Sequence, residues 1–496
     1  MSRAGVKAVR GSLWITSGRF IYNAVGFIGS IVIARLLTPG EYGLISIALT
    51  YPLFFTSIAD LGLSTAIMRY AAAGMHRHAL SAVLLRSLSG IAFGLALVPL
   101  STYLALTLRR PYLSLAIQIL SIYTIAYMVQ TSVNNYLIGV GRYGDFVILD
   151  LVRNITRISV SIALILIGLG VYGAYWGFSI GYLAAAFLAI FMLPKVEGKL
   201  NIKGVVNELF NYSIPLYIPT LISIPLGQLY NILIAIYVTN TEMGNYQIAN
   251  NLLAVASLVS GSVSTALFSA LPEFIGEDYK LRSAINRAAY LMALIISPIA
   301  LALALFSRQA VYVVYGSSYS LAPLYLSIMA INLLLSPLGV ITMYLNIIGD
   351  TRLSMVISLI NTVIGLPITW ALLVRWSMLG AVIASIINGA IGTAITYGIV
   401  KARHNLTVNI PKTIYYMLPG ILSYIATYLI LTRIKGLYIQ LLIGLPLYVI
   451  LMGILIALIT DVEDLKYLSN AVRNIKYVGP LISRLVSIEI DLKAIL

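Results

Sequence analysis

Arg19 and Asn23 sit where a lipid-crossing segment should be oily, inside Ile15–Leu37, "ITSGRFIYNAVGFIGSIVIARLL". An intramembrane arginine costs about 2.5–3.5 kcal/mol even on the lenient insertion scale, so this guanidinium needs a partner or a wet surrounding. Its planar fork matches the oxygens of phosphate and carboxylate, and the chemistry it offers is anion binding. An acid, Asp60, lies in the next apolar stretch. Arg19 is six residues past Leu13 and Asp60 eight before Met68, roughly 9 and 12 Å from one membrane edge at about 1.5 Å per residue. Antiparallel spans would let the two meet. A static pair would be structural; in a competition, an anion taking Arg19 would leave Asp60 to bind a proton or Na⁺.

Both residues belong to polar stripes. Ser12, Thr16, Arg19, Asn23, Gly26 and Ser30 recur every three or four residues and share one helix face. The next span carries Ser46, Thr50, Ser57, Asp60 and Ser64. Two later spans repeat the pattern. One has Thr220, Ser223, Gly227, Gln228 and Asn231 with Pro215, Pro219 and Pro225; the other has Gln247, Asn250, Asn251, Ser257, Gly261 and Ser264. Polar faces in a bilayer must turn to protein or to a wet cavity. The plainer account is tight helix packing through small residues. The sharper one places Arg19, Asn23, Asp60, Gln228, Asn231, Asn250 and Asn251 around a central cavity that holds an anion. Arg86, Arg153, Arg157 and Arg287 stand at span ends, where they are either ordinary flanking charge or a basic mouth attractive to phosphate.

The elements that would position these groups are transmembrane helices. The chain of 496 residues is 60% hydrophobic and only 10% charged, against about 25% charged in soluble domains. On a ruler of about 20 apolar residues per crossing, fourteen spans are expected. Six lie near 13–36, 43–68, 83–108, 112–138, 147–169 and 172–193, and six near 211–238, 245–272, 284–306, 321–347, 353–374 and 378–400. Two more lie near 413–431 and 437–460. With the N-terminus in the cytosol, 24 of the 32 lysines and arginines fall inside and seven outside, Arg19 being in the membrane. That bias explains the net charge of +16 without nucleic acid. It places both termini in the cytosol. Met1–Arg10 is basic, but no cleavage site follows, so the first span is read as retained.

The chain repeats itself. "LSTAI" at Leu63–Ile67 returns as "VSTAL" at Val263–Leu267, and "GLISIA" at Gly43–Ala48 returns loosely as "GNYQIA" at Gly244–Ala249. "YLIGVG" ending at Gly141 returns as "YLNIIG" ending at Gly349, and "GAYWG" from Gly173 as "GAVIA" from Gly380. "LSAVLLR" ending at Arg86 returns as "LRSAINR" ending at Arg287. Offsets of 200 to 208 in constant order indicate a parallel six-span repeat. The expected organisation is a six-helix bundle over 1–193, a cytosolic linker over 194–210 and a second bundle over 211–400. Two extra helices follow over 401–460, then a cytosolic tail over 461–496. In the tail, Leu465, Leu468, Val472 and Ile475 have the spacing of a surface amphipathic helix.

Other chemistry is missing from the sequence. No GxxxxGK[ST] phosphate loop occurs. There is no cysteine, and His76 and His78, which flank Arg77 in a short loop, are assigned no metal. No cofactor is expected, and the sequence leaves Na⁺ or H⁺ open as a coupling ion. The acids form no external cluster of the kind a membrane glycosyltransferase needs.

The segment "ARLLTPGEYGLISIALTYPLFFTSIADLGLSTAIMRYAA", from Ala34, resembles the polysaccharide-biosynthesis flippases of the multidrug/oligosaccharidyl-lipid/polysaccharide (MOP) exporter superfamily. "YLIGVGRYGDF" and "LGAVIASI" look like the same family. The resemblance implies an all-α, MATE-like fold, two pseudo-symmetric bundles in a V with alternating access. It implies passage of polyprenyl-diphosphate-linked oligosaccharide from the cytosolic to the outer leaflet of the plasma membrane, with glycan-assembly enzymes as neighbours. Related peptidoglycan-precursor flippases hold the diphosphate with arginines in the first spans, which points to Arg19. Relatives often carry Asp or Arg in span seven, where this chain has Gln228 and Asn231. The rival readings are an ion-coupled multidrug or organic-cation exporter of the same fold, a membrane glycosyltransferase or polymerase, and a non-transporting scaffold.

Overall fold

Thr38 starts a helix by closing a capping box, and the same device recurs two hundred residues later. In the computed structural model, which describes residues 3–194, 227–268, 277–461 and 463–464, α1 spans Arg3–Leu36 and α2 Pro39–Ala59. Thr38 Oγ1 accepts from the Glu41 amide at 3.3 Å, while Glu41 Oε2 accepts from the Thr38 amide at 2.9 Å. These contacts satisfy donors that the first helical turn would leave open. Thr239 and Glu242 make the same pair of contacts, at 3.3 and 3.0 Å, before α9, Asn240–Phe268.

Between these points run α3 (Leu63–Ala72), α4 (His76–Thr107), α5 (Ser114–Val140), α6 (Tyr143–Leu164), α7 (Val171–Met192) and α8 (227–237). After α9 come α10 (Asp278–Leu305), α11 (Ser307–Val314), α12 (Ala322–Asn332), α13 (Val340–Ile347) and α14 (Thr351–His404). The last three are α15 (Ile410–Tyr415), α16 (Leu418–Leu431) and α17 (Leu437–Ile459). The described residues hold ten helices long and apolar enough to cross a bilayer, so the chain is an all-α, multi-pass membrane protein. The described side chains of α1 include the apolar stretch Phe20–Leu36, and the expected spans 211–238 and 245–272 run partly outside the described residues.

Repeat-related positions also share backbone breaks. α6 continues as a π-helical turn to Leu169 and reverses at Gly170, with φ 51° and ψ −134°. α14 breaks at Ser377, with φ 51° and ψ −137°. The offset of 207 is that of the "GAYWG"/"GAVIA" match. This positive-φ geometry belongs to glycine, and the second copy holds it with a serine at a strain of about 1–3 kcal/mol. α5 and α13 end alike, on Gly141 (φ 79°) and Gly349 (φ 76°).

One expected span is broken. The stretch 43–68 is not one helix: α2 stops at Ala59, Leu61 and Gly62 take φ 49° and 71°, and α3 starts at Leu63. The sequence pattern reads through the break because Leu61 is apolar and the polar stripe keeps its spacing on both sides.

Contacts divide the chain into two units, Met1–Gly244 and Asn245–Leu496. In the first, α5 packs on α2, α3, α4 and α7, and α6 lies between α1 and α7. Gly18 and Gly29 of α1 face Val147 and Ile158 of α6 so closely that a Cβ on either would clash. In the loop after α4 the Arg110 guanidinium is buried. It donates to the carbonyls of Leu108 (2.8 Å), Ala235 (2.6 Å) and Val238, and to Asn240 Oδ1 (2.6 Å). It thereby caps the C-terminal carbonyls of α8. Burial lowers its pKa from the ordinary arginine value, and Tyr112 beside it acts in the opposite direction.

In the second unit α10 is the central helix, in contact with α12, α13, α15, α16 and α17. The two helices beyond the repeat thus pack on the second unit, and Tyr448 of α17 donates to the Pro298 carbonyl of α10 at 2.9 Å. The expected linker lies outside the described residues from 195 onward, as does the amphipathic part of the tail from Leu465.

The shared break gives a paired prediction. Ser377→Gly should raise the thermal stability of detergent-purified protein by about 1 kcal/mol, and Gly170→Ser should lower it by a similar amount. Equal melting temperatures for both variants and wild type would remove the strain argument.

Candidate functional site

Two ion pairs organise the polar interior of the first unit. At the α2–α3 break, Asp60 Oδ1 receives Arg86 Nε from α4 at 2.6 Å, and Asp60 Oδ2 accepts from Ser64 Oγ at 2.9 Å. Arg86 Nη1 donates to the Met128 carbonyl (3.1 Å), Thr131 Oγ1 (2.9 Å) and Ser132 Oγ (2.8 Å), all on α5. The Arg86 side chain is 5% exposed and that of Asp60 20%. The helix break turns a carboxylate inward, and one guanidinium pins three helices to it.

The second pair lies between α5, α6 and α7. Asp150 Oδ1 accepts from Arg153 Nη1 at 3.0 Å, Asn134 Nδ2 at 3.0 Å and Gln130 Nε2 at 3.2 Å. Arg153 Nη1 also donates to Gln130 Oε1 at 3.2 Å. The guanidinium is sandwiched between the rings of Tyr22 and Tyr182, at 5.1 and 5.0 Å from their centroids. One turn on, Arg157 Nη2 donates to Asn154 Oδ1 at 2.8 Å, and its guanidinium lies 4.8 Å from the Phe178 centroid. Asn154 in turn donates to the Tyr22 carbonyl of α1 at 2.9 Å. Among the described residues no carboxylate lies within ion-pair distance of the half-buried Arg157. Each carboxylate here is neutralised by one arginine, and Arg157 leaves the cluster with an excess positive charge.

The sequence candidates fall differently from their linear spacing. Asp60 is engaged by Arg86 and Ser64; the Arg19 side chain is outside the described residues. Arg86 and Arg153 are buried partners of Asp60 and Asp150, not an open basic mouth, because α4 and α6 carry them inward against acids and aromatic rings. Arg157 is half-buried in the same cluster as Arg153. Arg287, in the third turn of α10 in the second unit, binds Asp464, Nε to Oδ1, at 2.8 Å.

The remaining candidates are amides. Asn23 is half-buried. Gln228 and Asn231 bond to each other on α8 at 2.9 Å. Asn250 and Asn251 are half-buried on α9, where Gln247 donates to Asn251 at 3.2 Å. Several stripe hydroxyls bond their own helix. Ser30 donates to the Phe27 carbonyl, Thr50 to that of Ser46, Ser57 to that of Phe54 and Ser257 to that of Leu253. A hydroxyl bonded in this way is satisfied without water. Gln130, Asn134 and Tyr182 were missed: the first two lie in the polar run "QTSVNN" over 130–135, a signal that could have marked α5, and Tyr182 is a single ring in an apolar stretch.

Three comparisons bear on this geometry. A family model described as "Polysaccharide biosynthesis protein" matches residues 32–324. An "uncharacterized membrane protein in cps region" of Klebsiella pneumoniae is 23% identical over 79% of this chain and 82% of its own length. A "probable low-salt glycan biosynthesis flippase" of Haloferax volcanii is 22% identical over 51% of this chain and 54% of its own. Among solved structures, the lipid II flippase MurJ in an inward closed conformation has a TM-score of 0.71 at 17% identity, covering 90% of this chain and 99% of its own. The fold is that of MurJ and the MATE transporters of the MOP superfamily.

Removing one partner of a buried pair strands the other. Arg86→Gln should therefore cost about 3–5 kcal/mol of stability. The double variant Asp60→Asn/Arg86→Gln should recover a large part of it in thermal unfolding of purified protein. Additive losses in the double variant would show that the two residues do not act as a pair.

Proposed function

The chain belongs to the polysaccharide biosynthesis protein family, and from that membership we infer that it is a transporter rather than an enzyme. Specifically, it is a flippase that moves a lipid-linked oligosaccharide, joined to its polyprenyl carrier through diphosphate, from the cytosolic to the outer leaflet of the plasma membrane. What carries the choice of an anionic substrate is the charge balance of the first unit. Asp60 and Asp150 are each bound by an arginine, and Arg157 has no carboxylate at ion-pair distance among the described residues. An interior with one cation in excess favours a diphosphate headgroup. An exporter of organic cations needs the reverse, a carboxylate without a cation, and neither acid of the cluster offers it.

Arg19 adds a second cation to the same unit by sequence, and the amides of Asn23, Gln228 and Asn231 supply uncharged donors for sugar hydroxyls there. The headgroup then exchanges water for fixed dipoles and guanidinium forks while its lipid tail stays in the bilayer. Alternating access exposes the headgroup to one leaflet at a time. The glycan flippase name of the Haloferax volcanii relative supports this reading.

The test is reconstitution in liposomes with a fluorescent polyprenyl-diphosphate sugar, following leaflet exchange by chemical quenching with and without Na⁺ and H⁺ gradients. Wild type should exchange the lipid. Arg157→Gln and Arg19→Ala should each slow exchange at least about tenfold, the loss expected when a charge-assisted contact to the headgroup is removed. Wild-type rates in both variants would sink the anionic site. Sugar transfer without exchange would instead favour a glycosyltransferase, and neither activity would favour a scaffold.

A further inference from the structure

The two repeats treat one conserved arginine position differently. Arg86 and Arg287 are repeat partners, 201 residues apart. In the first unit Arg86 Nε meets Asp60 Oδ1 at 2.6 Å. At offsets of 200 or 201 Asp60 corresponds to Ser260 or Gly261, neither of which can carry charge. Arg287 nevertheless has a carboxylate, held through the same atoms: its Nε meets Oδ1 of Asp464 at 2.8 Å. That acid comes from the segment after α17, beyond the repeat altogether.

The contact is a built cluster. Tyr416, at the end of α15, donates to Asp464 Oδ2 and, at 3.3 Å, to Asp461 Oδ2. Lys412 Nζ lies 3.5 Å from Asp461 Oδ2 and over the rings of Tyr290 (5.1 Å) and Tyr416 (5.6 Å). Glu463 Oε2 is 3.7 Å from Arg287 Nη2. The cluster gathers the third and fourth turns of α10, the short helix α15 and the segment that follows α17. It also differs from its counterpart in access. The Arg86 side chain is 5% exposed and hydrogen-bonded on its far side by α5, whereas the Arg287 side chain is 36% exposed and the Lys412 side chain 40%.

We propose that Arg287 and Lys412 form an exchangeable site for the phosphate of a headgroup with net negative charge, and that its resident anion is the chain's own 461–464 segment through Asp464 and Asp461. Asp464 replaces the carboxylate missing from the second repeat and fixes the point where the tail leaves the second unit. A phosphate oxygen set can occupy the same guanidinium fork and ammonium. When it does, Asp464 withdraws into water and the segment comes free. The proposal does not depend on which lipid the protein transports.

Hydrogen–deuterium exchange of the 461–464 amides, measured on the full chain in detergent, tests it. The Asp464 amide is bonded to the Asp461 carbonyl at 3.1 Å and should be protected. Asp464→Asn should exchange about tenfold faster, as for the loss of one charge-assisted contact. In case that variant folds poorly, the exchange Arg287→Asp/Asp464→Arg should restore protection. Short-chain phosphatidylglycerol should speed exchange in wild type, and short-chain phosphatidylcholine should not. Inorganic phosphate at matched concentration separates a free anion from a lipid headgroup as the occupant. Equal protection in wild type and Asp464→Asn would overturn the proposal, as would no response to either phosphatidylglycerol or phosphate, or the same response to both lipids.

Discussion

A charge in a dry layer must be answered by a charge. Transfer of a lone carboxylate or guanidinium out of water is so unfavourable that such groups persist only when paired and fully hydrogen-bonded. Asp60 with Arg86 and Asp150 with Arg153 satisfy that condition, and the local architecture follows from it. The α2–α3 break exists where Asp60 turns in to meet α4. The sandwich of Tyr22 and Tyr182 closes over Arg153, and α1 is drawn onto α6 by the Asn154 contact to the Tyr22 carbonyl. Paired charges then become background, and within this cluster Arg157 stands out, with no carboxylate at ion-pair distance among the described residues.

The repeat shows which features are backbone chemistry and which are side-chain choice. Capping boxes at Thr38 and Thr239, glycine termini at Gly141 and Gly349, and the reversals at Gly170 and Ser377 recur in matching order. These set where helices start, stop and turn back, so they survive in both copies even where one copy holds a strained serine. The side chains inside are free to diverge. No acid occupies the position of Asp60 in the second copy, and α8 carries amides where a charged residue was expected from related proteins. Divergence of this kind lets one half of a duplicated transporter specialise without altering its helices.

Much of the fold was legible in the sequence because its signals are local or periodic. Apolar length predicts crossing helices, and five short matches in register predict the duplication. Pairing was less legible. Depth puts Asp60 level with Arg19, whose side chain lies outside the described residues; that Arg86 reaches Asp60 through the position of α4 is a relation that no spacing within one helix reports. Arg86 and Arg153 read as flanking charge because a span end and a buried helix start have the same composition. The stripe hydroxyls gave a misleading signal for a different reason: a serine that bonds its own helix has the same periodicity as one that faces water. Asp464 was read as part of a surface tail, since a carboxylate some 180 residues downstream of its partner carries no local mark at all.

That long-range pair also bears on how a duplicated membrane protein acquires regulation. In the first unit the arginine and its acid are built into neighbouring helices, and separating them would require the α2–α3 break to open. In the second, the acid sits on a chain segment with no helix holding it on its far side among the described residues, and the arginine remains a third exposed. The electrostatic gain is of the same kind in both, but the cost of separation is not. Charged groups returned to water recover most of what they lost on pairing, and the second pair can reach water by moving one short segment instead of two helices. An ion pair between helices of one bundle and an ion pair whose acid lies beyond the repeat thus differ in what has to move to separate them. The extra helices α16 and α17 pack on α10, and the segment that follows α17 brings Asp464 to Arg287 of that same helix.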